Sequence, residues 1–233
     1  MAVYLFDKID EFTDDMCRRS LTLLPDERQQ KATAYCQKVD QKLSVLAYVL
    51  LHYGLKNEYA ITENIVFSYS AKGKPFLTHY PQIHFNISHC RNGVICAIHT
   101  RAVGVDIETV AAYDAELAGH VCNEHELKLI NKSDNKALAF TKIWTIKECL
   151  IKKTGVGLSD DLKTISTIET EAIVLVDPDE AYVFSIAAMS LAEPMTTTLV
   201  PGSQTSARRS SWARSTEAGS ALSTMTSEGV ASF

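Results

Sequence analysis

Residues 141–155 read TKIWTIKECLIKKTG. Helical spacing puts Trp144, Glu148 and Lys152 on one line, each four residues from the next. Ala139, Ile143, Ile146 and Leu150, at steps of four, three and four, make a neighbouring apolar stripe suited to face a core. A carboxylate and an ammonium therefore stand one turn apart beside a buried face. Read alone, such a pair does no more than stabilise a helix by about 0.2–0.5 kcal/mol. A second stretch, residues 103–108, reads VGVDIE. Val103, Val105 and Ile107 alternate with Gly104, Asp106 and Glu108, which is a strand pattern. It puts Asp106 and Glu108 on one side, about 7 Å apart. Two carboxylates on one strand face repel unless something positive lies between them. A hard cation such as Mg²⁺ takes oxygen ligands, usually a few carboxylates plus phosphate and water. Glu148 could supply a third carboxylate. D-x-E alone reads more readily as a solvated strand edge.

The two stretches, about forty residues apart, together resemble the 4′-phosphopantetheinyl transferases. That family carries a G-V/I-D-I/V-E strand followed by a W-S/T-x-K-E-x-x-x-K helix. Here these are Gly104-Val105-Asp106-Ile107-Glu108 and Trp144-Thr145-Ile146-Lys147-Glu148-Cys149-Leu150-Ile151-Lys152. The resemblance covers roughly residues 1–190, and the length is similar to the long, surfactin-type members. It implies an α+β fold of two similar halves: residues 1–102 for coenzyme A contacts, and residues 103–195 for the metal site and the carrier-protein surface.

The resemblance also implies a reaction. Phosphopantetheine moves from coenzyme A to a serine of an apo acyl or peptidyl carrier protein, with Mg²⁺ as cofactor and 3′,5′-ADP as product. Asp106, Glu108 and Glu148 are the implied metal ligands, and Glu148 and Lys152 the implied catalytic pair. Arg28, Lys31 and Ser44 fall where the family clasps the 3′-phosphate and adenine end of coenzyme A. Lys74, in the G-K-P loop at residues 73–75, and Ser88 and His89, in the F-N-I-S-H run at residues 85–89, match further coenzyme contacts. Leu43 departs from the pattern, since the family often has arginine just before its Ser/Thr. Glu126 matches a family glutamate near the acceptor and metal site. It also stands three residues after Asn123, at capping-box spacing. Lys128 and Lys132 offer a basic helix surface to an acidic, helical carrier. A monomer is implied.

Length and composition fit a soluble globular chain. The 233 residues suffice for one large or two small domains, with 46% hydrophobic and 22% charged residues. A net charge of -5 argues against a nucleic-acid partner. No apolar run approaches the roughly 20 residues that span a bilayer. The start, MAVYLFDKIDEF, has acids where a signal peptide needs a basic region. The six cysteines show no CxxC spacing, so reduced thiols in a cytoplasm are expected.

Along the chain, residues 3–6, 65–69, 85–89, 94–98, 172–176 and 182–188 read as strands. Pro25, Asp26 and Glu27 open a helical stretch that runs to about His52, with a break near Val39. Leu43, Leu46, Ala47, Leu50 and Leu51 form its buried stripe. Residues 109–120 read as loop. From about Thr196 the chain turns rich in Ser, Thr, Ala and Gly without periodicity, and a disordered tail is expected over 196–233. Two other function classes use the same residues: a non-catalytic protein that keeps the coenzyme pocket, and a metal-dependent phosphohydrolase.

Overall fold

The computed structural model describes residues 1–157, 162–168, 170–188, 196–200 and 213–214. It opens on β1 (Ala2–Phe6), apolar and buried at every position. Thr13 caps α1 (Asp14–Leu21) by accepting from the Met16 N–H. Pro25 is the N-cap of α2 (Asp26–Thr33), one place before the first helical residue. After residues 34–37 comes α3 (Lys38–Tyr59), which ends on Ala60 in the left-handed conformation, φ 55°. The stripe expected on this helix, Leu43 through Leu51, is buried. The break expected near Val39 lies at residues 34–37, just before Lys38.

A short hairpin follows, β2 (Phe67–Tyr69) and β3 (Pro75–Leu77), then β4 (His84–Cys90), β5 (Gly93–His99) and β6 (Val103–Thr109). Residues 109–120 are not all loop. They contain most of α4 (Ala115–Val121), whose N-cap Asp114 accepts from the N–H groups of Glu116 and Leu117. Next come α5 (Glu124–Lys132), α6 (Lys136–Thr154), β7 (Ala172–Val176), β8 (Tyr182–Ala188), β9 (Thr196–Leu199) and β10 (Ala213–Arg214).

Two four-stranded sheets result, in the orders β4-β5-β1-β9 and β10-β7-β8-β6. They pack face to face. Val3 and Leu5 of β1 join Val105, Ile107, Phe184 and Ile186 of the second sheet in one core. Tyr4 and Phe6 face the other way, into a core with Leu50, Leu51 and Leu55 of α3. Cover on both faces explains why β1 shows no polar alternation. On the outer face of the second sheet lies α6, where Thr145 and Ser185 share a hydrogen bond at 2.7 Å. The layers are thus α3, first sheet, second sheet, α6: an α+β architecture in two halves.

Two expectations need correction here. The apolar stripe on α6 is only partly the buried one. Ile143 is buried, whereas Ala139, Ile146 and Leu150 are half-buried. Leu138, Thr141, Thr145, Lys147, Cys149 and Ile151 are buried as well. Contact with the sheet on one side and α5 on another spreads burial around the helix, and paired polar side chains fill part of it. Residues 196–199, expected to belong to a disordered tail, form a strand instead. Strand β9 runs parallel to β1, from Thr196 opposite Ala2 to Leu199 opposite Leu5. Val200 is buried in the α3 core. Four residues on a sheet edge carry no alternation of their own, and β1 sets their register. Ala213 and Arg214 pair with β7; the remainder of the expected tail lies outside the described residues. All six cysteines are free. No helix among the described residues is long and apolar enough to cross a membrane.

Candidate active site

Strands β4 and β6 are the edge strands of their sheets, and they meet at a seam. Asn86 Oδ1 accepts from the Val105 N–H at 2.8 Å, which satisfies a backbone donor on the open edge of β6. Farther along, Ser88 Oγ donates to Asp106 Oδ1 at 2.9 Å. On the other side, α6 lies directly on β6. A Cβ at Gly104 would fall 2.0 Å from the carbonyl oxygen of Cys149 and 2.4 Å from the Lys153 nitrogen. Only glycine permits that approach.

The close approach brings the two motifs together. Lys152 Nζ donates to Asp106 Oδ1 at 2.5 Å and to Ser88 Oγ at 3.0 Å. It stands 4.0 Å from Glu148, one turn earlier on α6. Asp106 is 1% exposed, and its Oδ2 is buried without a hydrogen-bond partner. Burial, then the Asp106 charge, pushes the Glu108 carboxyl up to about 7; the Trp144 indole and Lys152 act against this, and Glu148 adds to it. Burial likewise raises Glu148, with Lys152 opposing and Asp106 reinforcing.

The donor chemistry fits a hard cation: three carboxylates, one with an unpartnered buried oxygen. Among the described residues, however, no group of three His, Cys, Asp or Glu side chains is gathered tightly enough to hold a metal ion. The Lys152 ammonium is the cation that neutralises Asp106 in this arrangement.

A recess opens on the other face of β4. Arg28, Lys31, Tyr48, Phe67, Tyr69 and Gly73 are among its lining residues. The Arg28 guanidinium stands 5.7 Å from the centre of the Phe67 ring. Its Nε is buried without a partner. Ser44 is buried on α3, one turn before Tyr48. Ser88 and His89 face opposite ways on β4. Ser88 reaches the acids, whereas His89 keeps an exposed surface with Lys31 and Asp40 among its charged neighbours. Close packing, then the Lys152 charge, lowers its imidazole pKa. Leu43 belongs to the α3 core, and Lys42 pairs with Asp14 at 2.6 Å, so neither replaces the missing arginine.

Three residues differ from their expected surroundings or were not singled out. Lys74 Nζ donates to the carbonyls of Lys152, Lys153 and Val103, at 2.5, 2.9 and 3.3 Å. An ammonium has three donors, and in this arrangement all three of those on Lys74 go to backbone carbonyls. Glu126 does form the capping box with Asn123. It is fully buried and pairs with Lys147 at 2.8 Å, which keeps it out of the acid cluster. Lys147, a residue of the helix motif, also donates to the carbonyls of Val121 and Leu162. Its position within W-T-I-K-E among apolar neighbours was the available signal. Lys128 and Lys132 are exposed on α5 beside the exposed Leu129.

Comparison with known proteins accounts for most of the chain. A family model described as the 4′-phosphopantetheinyl transferase superfamily matches residues 102–179. A second, described as 4′-phosphopantetheinyl transferase, N-terminal, matches residues 12–101. The chain is similar to 4′-phosphopantetheinyl transferase Sfp of Bacillus subtilis, 31% identical over 64% of this chain and 67% of the relative. It is 38% identical to 4′-phosphopantetheinyl transferase gsp of Aneurinibacillus migulanus, over 57% of this chain and 56% of that protein. An L-aminoadipate-semialdehyde dehydrogenase-phosphopantetheinyl transferase of Candida glabrata is 29% identical over 71% of this chain and 67% of its own length. The chain belongs to the 4′-phosphopantetheinyl transferase superfamily, among its Sfp-like transferases.

Proposed function

We propose that this chain transfers the 4′-phosphopantetheine arm of coenzyme A to a serine hydroxyl of an apo carrier protein, acyl or peptidyl. The products are holo carrier and 3′,5′-ADP, and Mg²⁺ is the cofactor. The observation that carries this reading is the meeting of Asp106, Lys152 and Ser88 at the seam, with Glu148 one turn away. The recess of Arg28 and Lys31 beside it supports a nucleotide end for the substrate. In this reading the adenine and 3′-phosphate lie against Arg28, Lys31 and Ser44. The pyrophosphate lies by Ser88, His89 and Lys152. The protein works as a cytoplasmic monomer, and the carrier meets α5 at Lys128 and Lys132.

The acceptor hydroxyl attacks the β-phosphorus. The bond from that phosphorus to the bridging oxygen breaks, and its electrons leave with 3′,5′-ADP. Glu148 takes the hydroxyl proton, directly or through water, and burial has already raised its basicity. Lys152 stabilises charge as it grows on a phosphate oxygen. Asp106, Glu108 and Glu148 would hold the metal, which when bound neutralises the pyrophosphate and orients in-line attack.

Incubation with coenzyme A, Mg²⁺ and an apo carrier protein tests the reading. The carrier should gain the mass of phosphopantetheine. Free phosphopantetheine would instead mark a phosphohydrolase, and unchanged coenzyme and carrier a binding protein.

A further inference from the structure

We infer that Lys74 is a positioning residue for Lys152, fastening the end of α6 to the hairpin that walls the recess, and not a direct ligand of coenzyme phosphate. The inference rests on the coenzyme A reading above. The last carbonyls of a helix have no partners within it and carry its negative dipole end. In α6 two of these, from Lys152 and Lys153, accept from Lys74 Nζ at 2.5 and 2.9 Å. The third acceptor, at 3.3 Å, is Val103 at the start of β6. One ammonium therefore ties together the two elements that carry the acids.

Room for this contact is built in. Gly155 ends α6 at φ +72°, and a Cβ there would fall 2.8 Å from Lys74 Cδ. The other end of the tie is stiff as well. The Ser70 N–H donates to the Lys74 carbonyl at 2.9 Å, and the Lys74 N–H donates to Ser70 Oγ at 3.1 Å. Gly73 and Pro75, the neighbours of Lys74, line the recess. Lys74 thus has its backbone in the wall of the recess and its side chain on the carbonyl of Lys152 itself. A nucleotide seated against this wall would bear on the residue that fixes where Lys152 stands.

Lys74→Met and Gly155→Ala test the inference in the full chain. Coenzyme A affinity is measured by calorimetry, turnover by carrier modification, and order at the end of α6 by amide hydrogen exchange. Both variants should lose about ten- to a hundredfold in kcat, the scale of a small misplacement of a reacting group. Coenzyme A Kd should move by less than about threefold, and exchange should speed up over residues 151–155. A tenfold or greater rise in Kd for Lys74→Met with kcat retained would overturn the inference in favour of direct phosphate contact. Unchanged kcat in both variants would overturn it too. A wild-type chain that transfers nothing would defeat the reaction reading instead. Unaltered exchange in Lys74→Met would then still reject the tie.

Discussion

Gly104 and Cys149 touch through bare backbone: a Cβ on the first would lie 2.0 Å from the carbonyl oxygen of the second. Two backbones in contact cannot be relieved by a rotamer change. Gly104→Ala should push α6 off β6 and destabilise the fold by about 3 kcal/mol, the upper end for overpacking. Urea denaturation measures this. A midpoint within error of wild type would mean that α6 does not bear on Gly104.

Lys152 and the acids around it should separate binding from turnover. Lys152→Ala is expected to lower kcat more than it weakens coenzyme A binding, because its contact strengthens as charge develops. Glu148→Gln should cost about 10²–10⁴ in kcat if Glu148 is the base. Steady-state carrier modification at matched Mg²⁺ reads both. Turnover retained in Lys152→Ala would reduce the Glu148–Lys152 pair to a helix-stabilising contact.

Glu108 predicts a pH dependence of stability in chelator. Its carboxyl binds a proton up to about 7 in the folded chain, against an ordinary value of 4.5. Between those values the folded state holds more protons than the unfolded state, so stability falls as pH rises through this window. Melting in EDTA at pH 5 and pH 8 checks it, with Glu108→Gln as reference. The wild type should lose more stability than the variant on going to pH 8. Parallel losses in the two proteins would count against a strained Glu108.

The buried pair of Lys147 and Glu126 should behave differently from the site acids. Lys147 holds Val121, Glu126 and Leu162 at once. Lys147→Met leaves a buried carboxylate without its cation, at a cost of about 3–5 kcal/mol. Chemical denaturation gives the value. A variant as stable as wild type would show that Glu126 reaches water or sheds its charge.

Strand β9 gives the last prediction. A chain ending at residue 195 loses β9 and the buried Val200, whereas one ending at residue 200 keeps both. The shorter chain should melt lower, by about 2–4 °C for each kcal/mol lost. Equal melting temperatures would show that β9 adds nothing to the first sheet.

Much of the site could be read directly from the sequence. Asp106, Glu108, Glu148 and Lys152 sit in two local patterns, and alternation or helical spacing suffices to align them. The supporting residues could not be read this way. Asn86 acts by closing the open edge of a strand in the other sheet. Gly104 acts through a helix that begins some thirty residues later. Lys74, matched to a coenzyme contact, and Lys147, a residue of the helix motif, reach carbonyls that only the fold brings to them. Helix α4 is hard to read from the sequence because little apolar periodicity follows its Asp114 cap.

The return of β9 to the side of β1 also bears on how the chain is born. Parallel strands need a long connection, and this one passes through β6, β7 and β8, three of the four strands of the second sheet. At synthesis rates of about 5–20 residues per second, roughly 10–40 s separate β1 from its partner as they leave the ribosome. Throughout that interval one edge of the first sheet stands open on the nascent chain, with a strand of five apolar residues beside it. Such an edge is a template for pairing with other chains. Until residues 196–199 have been translated, the β1 edge therefore stays available for pairing outside the fold, and a chain released before that point carries it uncovered.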